Sequence, residues 1–177
     1  MEASTTYTCP GCDTGRMTVF YELRDFPVHT VINIATKADA IGYRRGDVCL
    51  AFCSDCGFIS NVAFNQDLID YCPDCEETQG FSPTFRSFAS RSALQLVDRY
   101  NLKGKTILEI GCGKGEFLSM LCEYGQNRGI GLDPAYVEGR VEHSAEKSVQ
   151  FIRDYYSEKY SDYKADFICC LMTLEHI

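Results

Sequence analysis

The sequence predicts an α/β fold preceded by a small cysteine-rich module. Two Cys-x-x-Cys pairs lie within the first 65 residues, and a strand, a glycine-rich turn and a helix follow one another from Lys105 onward. Apolar strand-like segments then alternate with helical segments, a pattern that produces a parallel sheet. We therefore expect a metal-binding module and an α/β domain in one chain.

Composition and charge restrict the classes of function. The chain has 177 residues, of which 45% are hydrophobic, so it can bury a core. It has no basic, apolar leader and no run of the ~18 to 20 apolar residues that cross a bilayer, so a soluble, cytoplasmic protein without membrane association is expected. A net charge of −8 repels phosphate backbones and disfavours nucleic acid as a partner.

Residues 1–65 are predicted to form the cysteine module. The segments RMTVFYEL and GDVCLAFC alternate apolar and polar residues like the strands of a hairpin, and TKADAIGY between them suits a short helix. Residues 66–103 are predicted to form a connector and the first helix of the next domain. Ser82 is a suitable N-cap for that helix, and Pro83 suits its first position.

Residues 104–177 are predicted to form the α/β domain. Its expected elements are, in order, strand 105–110, helix 114–124, strand 128–132, strand 148–153, a short helical piece at 155–161 and strand 165–172.

The two cysteine pairs are Cys9/Cys12 and Cys53/Cys56. Eleven cysteines, an odd number, in a reducing compartment indicate metal ligation rather than a disulfide framework. A two-residue gap lets both thiolates of a pair face one ion, and two such pairs complete a tetrahedral zinc site. Four thiolates leave no open position, so the zinc is expected to be structural. A redox dithiol is the alternative.

Glycines beside the two cysteine pairs support the predicted zinc site. Gly11 and Gly57 suit the turns in which backbone N–H groups approach sulfur and positive φ is easiest for glycine.

A third pair, Cys72 and Cys75, has the same spacing. This third pair could replace either of the other pairs as zinc ligands, but the simpler interpretation is that it consists of two reduced cysteines in a connector.

The glycine turn follows the strand LEI with glycines at Gly111, Gly113 and Gly115. A dinucleotide site would have a glycine at Glu116, and an acidic side chain there is a poor neighbour for a pyrophosphate. Asp133 ends the next strand 18 residues after Gly115, which is a suitable distance for an acid that binds ribose hydroxyls.

The stretch LEIGCGKG resembles motif I of the class I S-adenosylmethionine (SAM) methyltransferases. That resemblance implies a Rossmann-like sheet, of which the first four strands are present, and a ligand with a sulfonium and an ammonium group. It places Glu109 near the methionine end of SAM and Asp154 at the adenine amino group. The implied cofactor set also includes residues next to these acids and glycines: Cys112, Pro134 and Tyr155.

The last residues, ADFICCLMTLEHI, resemble the fourth strand of these enzymes and the signature that follows it. The resemblance places Glu175 and His176 beside the cofactor cleft. His176 is the single candidate for acid/base catalysis, although a histidine in this motif more often supports the loop.

The order of parts, a four-cysteine module before motif I, resembles the bacterial C-methyltransferases that act on nucleotide-linked deoxysugars. This resemblance implies methyl transfer to a small molecule, a carbon of a nucleotide-linked or cell-surface sugar, with SAM and Zn²⁺ as cofactors. It also implies that the segment from Tyr71 to Phe85 closes over the methionine end of SAM, unless the segment is only a linker. The candidate contacts in it are Tyr71, Glu77, Thr78, Gln79 and Phe81.

Two alternatives remain open. An rRNA guanine methyltransferase can carry an N-terminal zinc module, but it needs a basic face, which the charge of −8 opposes. A non-catalytic module could use the SAM pocket and the zinc only as a scaffold.

The similar enzymes continue past the fourth strand, so the chain is expected to be part of a longer protein whose remainder supplies the catalytic base. Strand 165–172 would then form an edge with two apolar faces. We expect the chain expressed alone to aggregate or to form a homodimer through that edge.

Overall fold

The computed structural model divides the chain into two compact units, Met1–Asp70 and Tyr71–Ile177. Cys72 and Glu77, both named above, lie outside the residues that the structure describes. Those residues are 6–29, 31–69, 71, 73–76, 78–139 and 148–176.

The first unit contains a four-stranded antiparallel sheet in the order β1-β2-β3-β4. The predicted hairpin strands are confirmed as β2 and β3, and the predicted short helix is confirmed as α1. The short strands β1 and β4 are not apparent from the sequence, because two or three residues do not reveal an alternating pattern. The bounds are β1 Tyr7–Thr8, β2 Arg16–Pro27, α1 Lys37–Ile41, β3 Arg45–Cys53 and β4 Ile59–Asn61.

One face of this sheet forms the core of the first unit. Cys9, Met17, Ala51 and Cys53 are buried together, whereas Phe52, between two of them on β3, is exposed. This alternation follows from the two-residue period of a strand. It directs Cys53 of β3 into the core that also contains Cys9.

The second unit contains a four-stranded parallel sheet in the order β7-β6-β5-β8. The first strand of this unit, β5, is therefore central, and the carboxyl ends of β5 and β6 meet at one edge, where Ile110 pairs with Leu132. The bounds are β5 Thr106–Ile110, β6 Arg128–Leu132, β7 Val149–Ile152 and β8 Phe167–Cys169.

The sheet of the second unit buries apolar side chains on both faces. Ile107 belongs to a core cluster that includes Ala93 and Leu118, while its neighbour Leu108 belongs to a second cluster with Tyr160. Strands buried on both faces have continuous apolar sequences, which explains the run TILEI.

Helix α2, Pro83–Arg99, begins where the sequence predicts. The Ser82 hydroxyl accepts a hydrogen bond from the Phe85 backbone N–H at 3.3 Å, as an N-cap should. Helix α3, Glu116–Gly125, begins two residues later than predicted. The reason is that Gly115 has φ of 87°, a left-handed conformation that an α-helix does not contain.

Two other predicted elements are shorter than expected. The helical piece at 155–161 is a 3₁₀ turn, Glu158–Tyr160, and strand 165–172 is reduced to the three residues of β8. Met172 has φ of 52°, which is incompatible with a strand that continues to that residue. Within the described residues β8 ends the sheet, and its Ile168 is 57% exposed.

Asn127 stabilises the approach of α3 to the sheet, and we predict that Asn127→Ala is destabilising. Its buried side-chain amide donates to the carbonyls of Leu102 (3.0 Å) and Leu121 (2.7 Å), and its oxygen accepts from the Lys105 N–H at 2.9 Å. Losing these bonds should lower the free energy of unfolding by about 2–4 kcal/mol in urea denaturation. The exposed Gln95→Ala is the control, and an equal effect of both changes would contradict the prediction.

Candidate functional site

The glycine turn between β5 and α3 has a backbone conformation that residues other than glycine adopt only with strain. Gly111, Gly113 and Gly115 have φ of 69°, 55° and 87°. At Gly111 a Cβ atom would also overlap the side chain of Thr173. The Thr173 hydroxyl instead donates a hydrogen bond to the Gly111 carbonyl at 3.1 Å. The chain after β8 therefore packs directly on the turn.

Asp133, predicted to bind ribose, lies against this turn. Its Oδ2 accepts from the Gly113 N–H at 2.8 Å, and its Oδ1 accepts from the Ala135 N–H at 2.7 Å. A carboxylate has about four acceptor positions, so two backbone bonds leave capacity for a ligand. The next residue, Pro134, accepts at its carbonyl from Arg153 Nε at 3.4 Å. In this structure Asp133 fixes the shape of the turn.

Glu109 lies in β5 and is only 2% exposed. Its Oε2 is buried and has no hydrogen-bond partner within the part of the chain that the structure describes. Burial has the largest effect on the pKa of its carboxyl and, with the charges of Asp133 and Glu116, raises that pKa to about 8. A hydrogen bond from the Leu118 backbone has a smaller, opposite effect. The carboxyl is thus protonated near neutral pH and has an unused oxygen.

Lys114 is a residue that the sequence analysis missed. Although it stands among glycines in a turn, it is 1% exposed. Its Nζ donates to the carbonyl oxygen of Ala135 at 2.8 Å and lies 3.5 Å from the carbonyl oxygen of Pro73. It therefore ties the glycine turn to the loop after β6 and to the segment before α2. Its position inside the glycine motif is the sequence feature that could have identified Lys114 as a residue of this region.

The segment before α2 contributes some of its predicted residues to this region. The Tyr71 ring lies 6.4 Å from the His176 ring. Burial raises the pKa of Tyr71, and so do the charges of Tyr155, Cys75 and Asp133, which places Tyr71 near the end of β6.

Other residues of the same segment differ in their placement. The Thr78 hydroxyl donates to Glu116 Oε1 at 3.0 Å, which fastens this part of the segment to the start of α3. Gln79 and Phe81 are exposed, Phe81 to 76%. The structure therefore brings Tyr71 and Thr78 to the turn, and it leaves the other two side chains in solvent.

Asp154, predicted to bind the adenine amino group, is engaged by its own chain. Its Oδ2 accepts from Lys159 Nζ and, at 2.6 Å, from the Tyr160 hydroxyl, while Oδ1 accepts from the Tyr155 N–H at 2.8 Å. The hydrogen bond from Lys159 lowers the pKa of Asp154 most, and the hydrogen bond from Tyr160 has the next largest effect. The sequence analysis did not anticipate these partners, which reach Asp154 through the 3₁₀ turn.

The cysteine cluster lies in the first unit. The sulfur atoms of Cys9, Cys12, Cys53 and Cys56 all lie within 4.8 Å of one another, so they could hold a metal ion. The Cys9–Cys56 and Cys12–Cys53 sulfur distances are 3.6 and 3.9 Å. Cys75 of the third pair is buried, and Cys72 is not among the described residues.

Backbone N–H groups approach the sulfurs of the first pair. Gly11 N–H donates to Cys9 Sγ and Gly15 N–H to Cys12 Sγ, each at 3.3 Å. Hydrogen bonds from the backbones of Thr14 and Gly15 lower the pKa of Cys12 to about 6, which favours the thiolate that a metal requires.

The glycines of the cluster differ partly from expectation. Gly57 has φ of 80° as predicted, but Gly11 does not, and Asp13 has the positive φ of the first turn at 58°. A Cβ at Gly11 would press on the Phe58 ring at 3.1 Å, so the close approach of this ring favours glycine at the position. Gly15, which the sequence analysis missed, lies so close to Cys53 that a Cβ would overlap its sulfur.

Membrane-spanning segments were also considered. None of the helices within the described ranges combines the length and apolarity needed to traverse a bilayer.

The comparison with family models concerns the second unit. A family model described as "Methyltransferase domain" matches residues 85–177. No curated protein matches the chain. Among solved structures, a cyclopropane-fatty-acyl-phospholipid synthase-like protein from Lactobacillus casei ATCC 334 is similar, with 18% identity and a TM-score of 0.38. The match covers 49% of this chain and 39% of that protein's length.

The buried carboxyl of Glu109 predicts a pH dependence of stability. The folded chain keeps this proton up to about pH 8, while the unfolded chain loses it near 4.5, so the folded state binds more protons in between. Stability should therefore decrease as pH rises through this window. Melting temperatures at pH 5.5 and pH 8 should show a smaller decrease for Glu109→Gln than for the wild type.

The exposed Glu123→Gln on α3 is the matched control and should behave like the wild type. An identical decrease in melting temperature for Glu109→Gln and the wild type would contradict the assignment.

Proposed function

Because the chain belongs to the methyltransferase-domain family, we propose that it binds SAM and transfers the methyl group to a small-molecule acceptor. The matched domain supports methyl transfer, and SAM dependence is general to the family. The single observation that carries the proposal within the chain is the bare glycine turn, with Glu109 and Asp133 beside it at the carboxyl edge of a parallel sheet. The central position of β5 supports a Rossmann-like sheet of the class I type.

The charges at the turn favour a cationic ligand. Glu109, Glu116 and Asp133 are close enough for the charges of the last two to raise the pKa of the first. A phosphate at this position would be repelled by the carboxylates of Asp133 and Glu116, whereas the ammonium and sulfonium groups of SAM would be attracted. This argument favours SAM over a dinucleotide.

The proposed cofactor placement follows the carboxyl ends of three strands. The methionine end lies over Gly111 to Gly115 near Glu109 and Cys112, the ribose lies at Asp133 and Pro134, and the adenine lies beside Asp154 and Tyr155. In this placement Asp154 would share its oxygens with Lys159, because they already accept bonds from the chain.

The reaction is proposed as an in-line transfer from the sulfonium to a carbon or oxygen nucleophile. The protein aligns the two groups, and a base removes a proton from the acceptor. His176, with its ring 6.4 Å from that of Tyr71, is the candidate base among the described residues. A sugar carbon is the proposed acceptor, because the cysteine module precedes the glycine turn as in the deoxysugar enzymes.

The cysteine cluster is proposed to hold a structural Zn²⁺. Four sulfurs within 4.8 Å of one another match the donor set and number of a closed zinc site, and such a site stabilises a small unit directly. With all four positions filled by thiolates, the ion would take no part in methyl transfer.

We predict one zinc ion per chain, bound by the four thiolates at about 2.3 Å. Elemental analysis of protein purified under reducing conditions should find it, and Cys56→Ser should lose most of it. Cys170→Ser, which changes a cysteine of the second unit, should retain it. Metal-free protein, or a Cys9–Cys12 disulfide, would refute the zinc site.

We predict that Asp133→Ala lowers SAM affinity at least tenfold. The change removes acceptors for two ribose hydroxyls, each charge-assisted bond contributing roughly 1.5–3 kcal/mol, and it also frees the Gly113 N–H that fixes the turn. Calorimetric titration with SAM measures the effect. The exposed Asp98→Ala on α2 is the control and should bind normally.

Asp133→Asn keeps the shape of the side chain and separates loss of charge from loss of the turn. Unchanged affinity in Asp133→Ala, with an unchanged melting temperature, would exclude this placement of the ribose. Absence of SAM binding by the wild type would contradict the proposed function itself.

A further inference from the structure

The antiparallel sheet of the first unit has an inner and an outer face. On β3 the core residues Ala51 and Cys53 define the inner face. Side chains alternate along a strand, so the residues between them belong to the outer face, and so do the residues paired with those on β2 and β4. The outer face consists of Thr18, Tyr21, Leu23, Val48, Leu50, Phe52, Ile59 and Asn61.

Hydrophobic side chains dominate this outer face. Six of its eight residues are hydrophobic and none is charged. Tyr21, Phe52 and Ile59, one on each of three neighbouring strands, are exposed to 49%, 42% and 51%. An antiparallel sheet with one solvated face normally has polar residues there. The outer face therefore has the composition of a surface that another protein surface covers.

The first unit covers one end of the outer face with its own chain. Gly46 on β3 lies so close to Leu68, in the 3₁₀ turn Gln66–Leu68, that a Cβ atom would approach that side chain to 3.0 Å. Val48 and Leu50, the next outward residues of β3, are half-buried. Phe52 and Ile59, further along, stay about half exposed. The open patch thus lies at the end of the sheet away from this turn.

The charged residues of this sheet balance one another. The net charge of −8 therefore originates outside its strands. Arg24 pairs with Glu22 and Asp47 at 2.8 Å each, and Arg45 pairs with Asp25 at 3.0 Å. A second copy of the sheet meets no net repulsion here, and a strongly charged partner gains no attraction. The strands contain three charges of each sign: Arg16, Arg24 and Arg45 against Glu22, Asp25 and Asp47.

The exposed area suits a contact between two copies. A large aromatic side chain has about 150–250 Å² of surface, so three half-exposed side chains and their half-buried neighbours offer roughly 300–400 Å² of apolar area. Interfaces are about 60% apolar, which gives roughly 600 Å² per copy and about 1,200 Å² in total. That total is at the lower end of the range for specific interfaces.

We infer that the outer face of this sheet is a dimer interface, at which two copies of the chain pack face to face around a two-fold axis. Each copy presents the same uncharged patch, as an isologous contact requires. The two sheets would stack about 10 Å apart with interdigitating side chains, as in a β-sandwich. This interface goes beyond the proposed function and does not depend on it. It also differs from the edge of β8, which belongs to the second unit.

The test is sedimentation velocity on the complete 177-residue chain, purified under reducing conditions. Concentrations from about 1 to about 200 µM bracket the micromolar dissociation constant expected of a small interface. Phe52→Glu and Tyr21→Glu each place a carboxylate in the apolar contact. Ile168→Glu, which changes a similarly exposed residue on β8, is the matched control. Melting temperatures show whether each variant is folded, and Tyr21→Glu decides the outcome if Phe52→Glu does not fold.

The expected result is a monomer–dimer equilibrium in the wild type and in Ile168→Glu. Phe52→Glu and Tyr21→Glu should each raise the dissociation constant about tenfold or more, because every dimer would bury two unpaired carboxylates. Added salt should not weaken the wild-type dimer, since no ion pair holds the contact.

Three outcomes would overturn the inference. The first is a wild type that stays monomeric over the whole concentration range, which would leave the patch to a different partner. The second is a folded Tyr21→Glu variant that dimerises as well as the wild type. The third is loss of the dimer in Ile168→Glu alone, which would place the contact at the edge of β8.

Discussion

The organisation of the second unit depends on three glycines, residues without side chains, in the turn that leads from the strand β5 into α3. The three glycines of the turn have left-handed φ values, and this conformation delays the start of the helix to Glu116. The bare backbone lets Thr173 approach Gly111, and it lets Asp133 accept from Gly113. Two loops that are distant in sequence thus meet at one edge of the sheet.

The turn contains one satisfied charge, and the strand that precedes it contains one unsatisfied acid. Lys114 is as buried as Glu109, but its ammonium group donates to a backbone carbonyl at 2.8 Å, so it contributes to the fold. Glu109 has an oxygen without a described partner, and a buried unsatisfied group costs about 1–3 kcal/mol. A protein retains such a cost more readily where a ligand removes it. The contrast therefore separates a residue that holds the turn from one whose carboxyl the described chain leaves unsatisfied.

Local sequence signals predicted the parts of the fold that local interactions determine. Ser82 and Pro83 fixed the start of α2, and apolar runs located the strands of the parallel sheet, although the last strand is shorter than its apolar run. The sequence also indicated which acids follow strands, but not their partners. Lys159 reaches Asp154 through an intervening 3₁₀ turn, and Lys114 is buried because the folded chain brings a distant carbonyl to it. Such contacts have no signature in spacing.

Cysteine shows most directly why spacing and residue type are insufficient by themselves. In the first unit, backbone N–H groups of Thr14 and Gly15 lower the pKa of Cys12 to about 6. In the second unit, burial and the nearby charge of Glu109 raise the pKa of Cys122 to about 12. The environment of Cys12 stabilises a thiolate, and that of Cys122 stabilises a neutral thiol. The backbone donors therefore make Cys12 suitable as a metal ligand, whereas an isolated cysteine in an apolar strand or helix packs as a small hydrophobic residue.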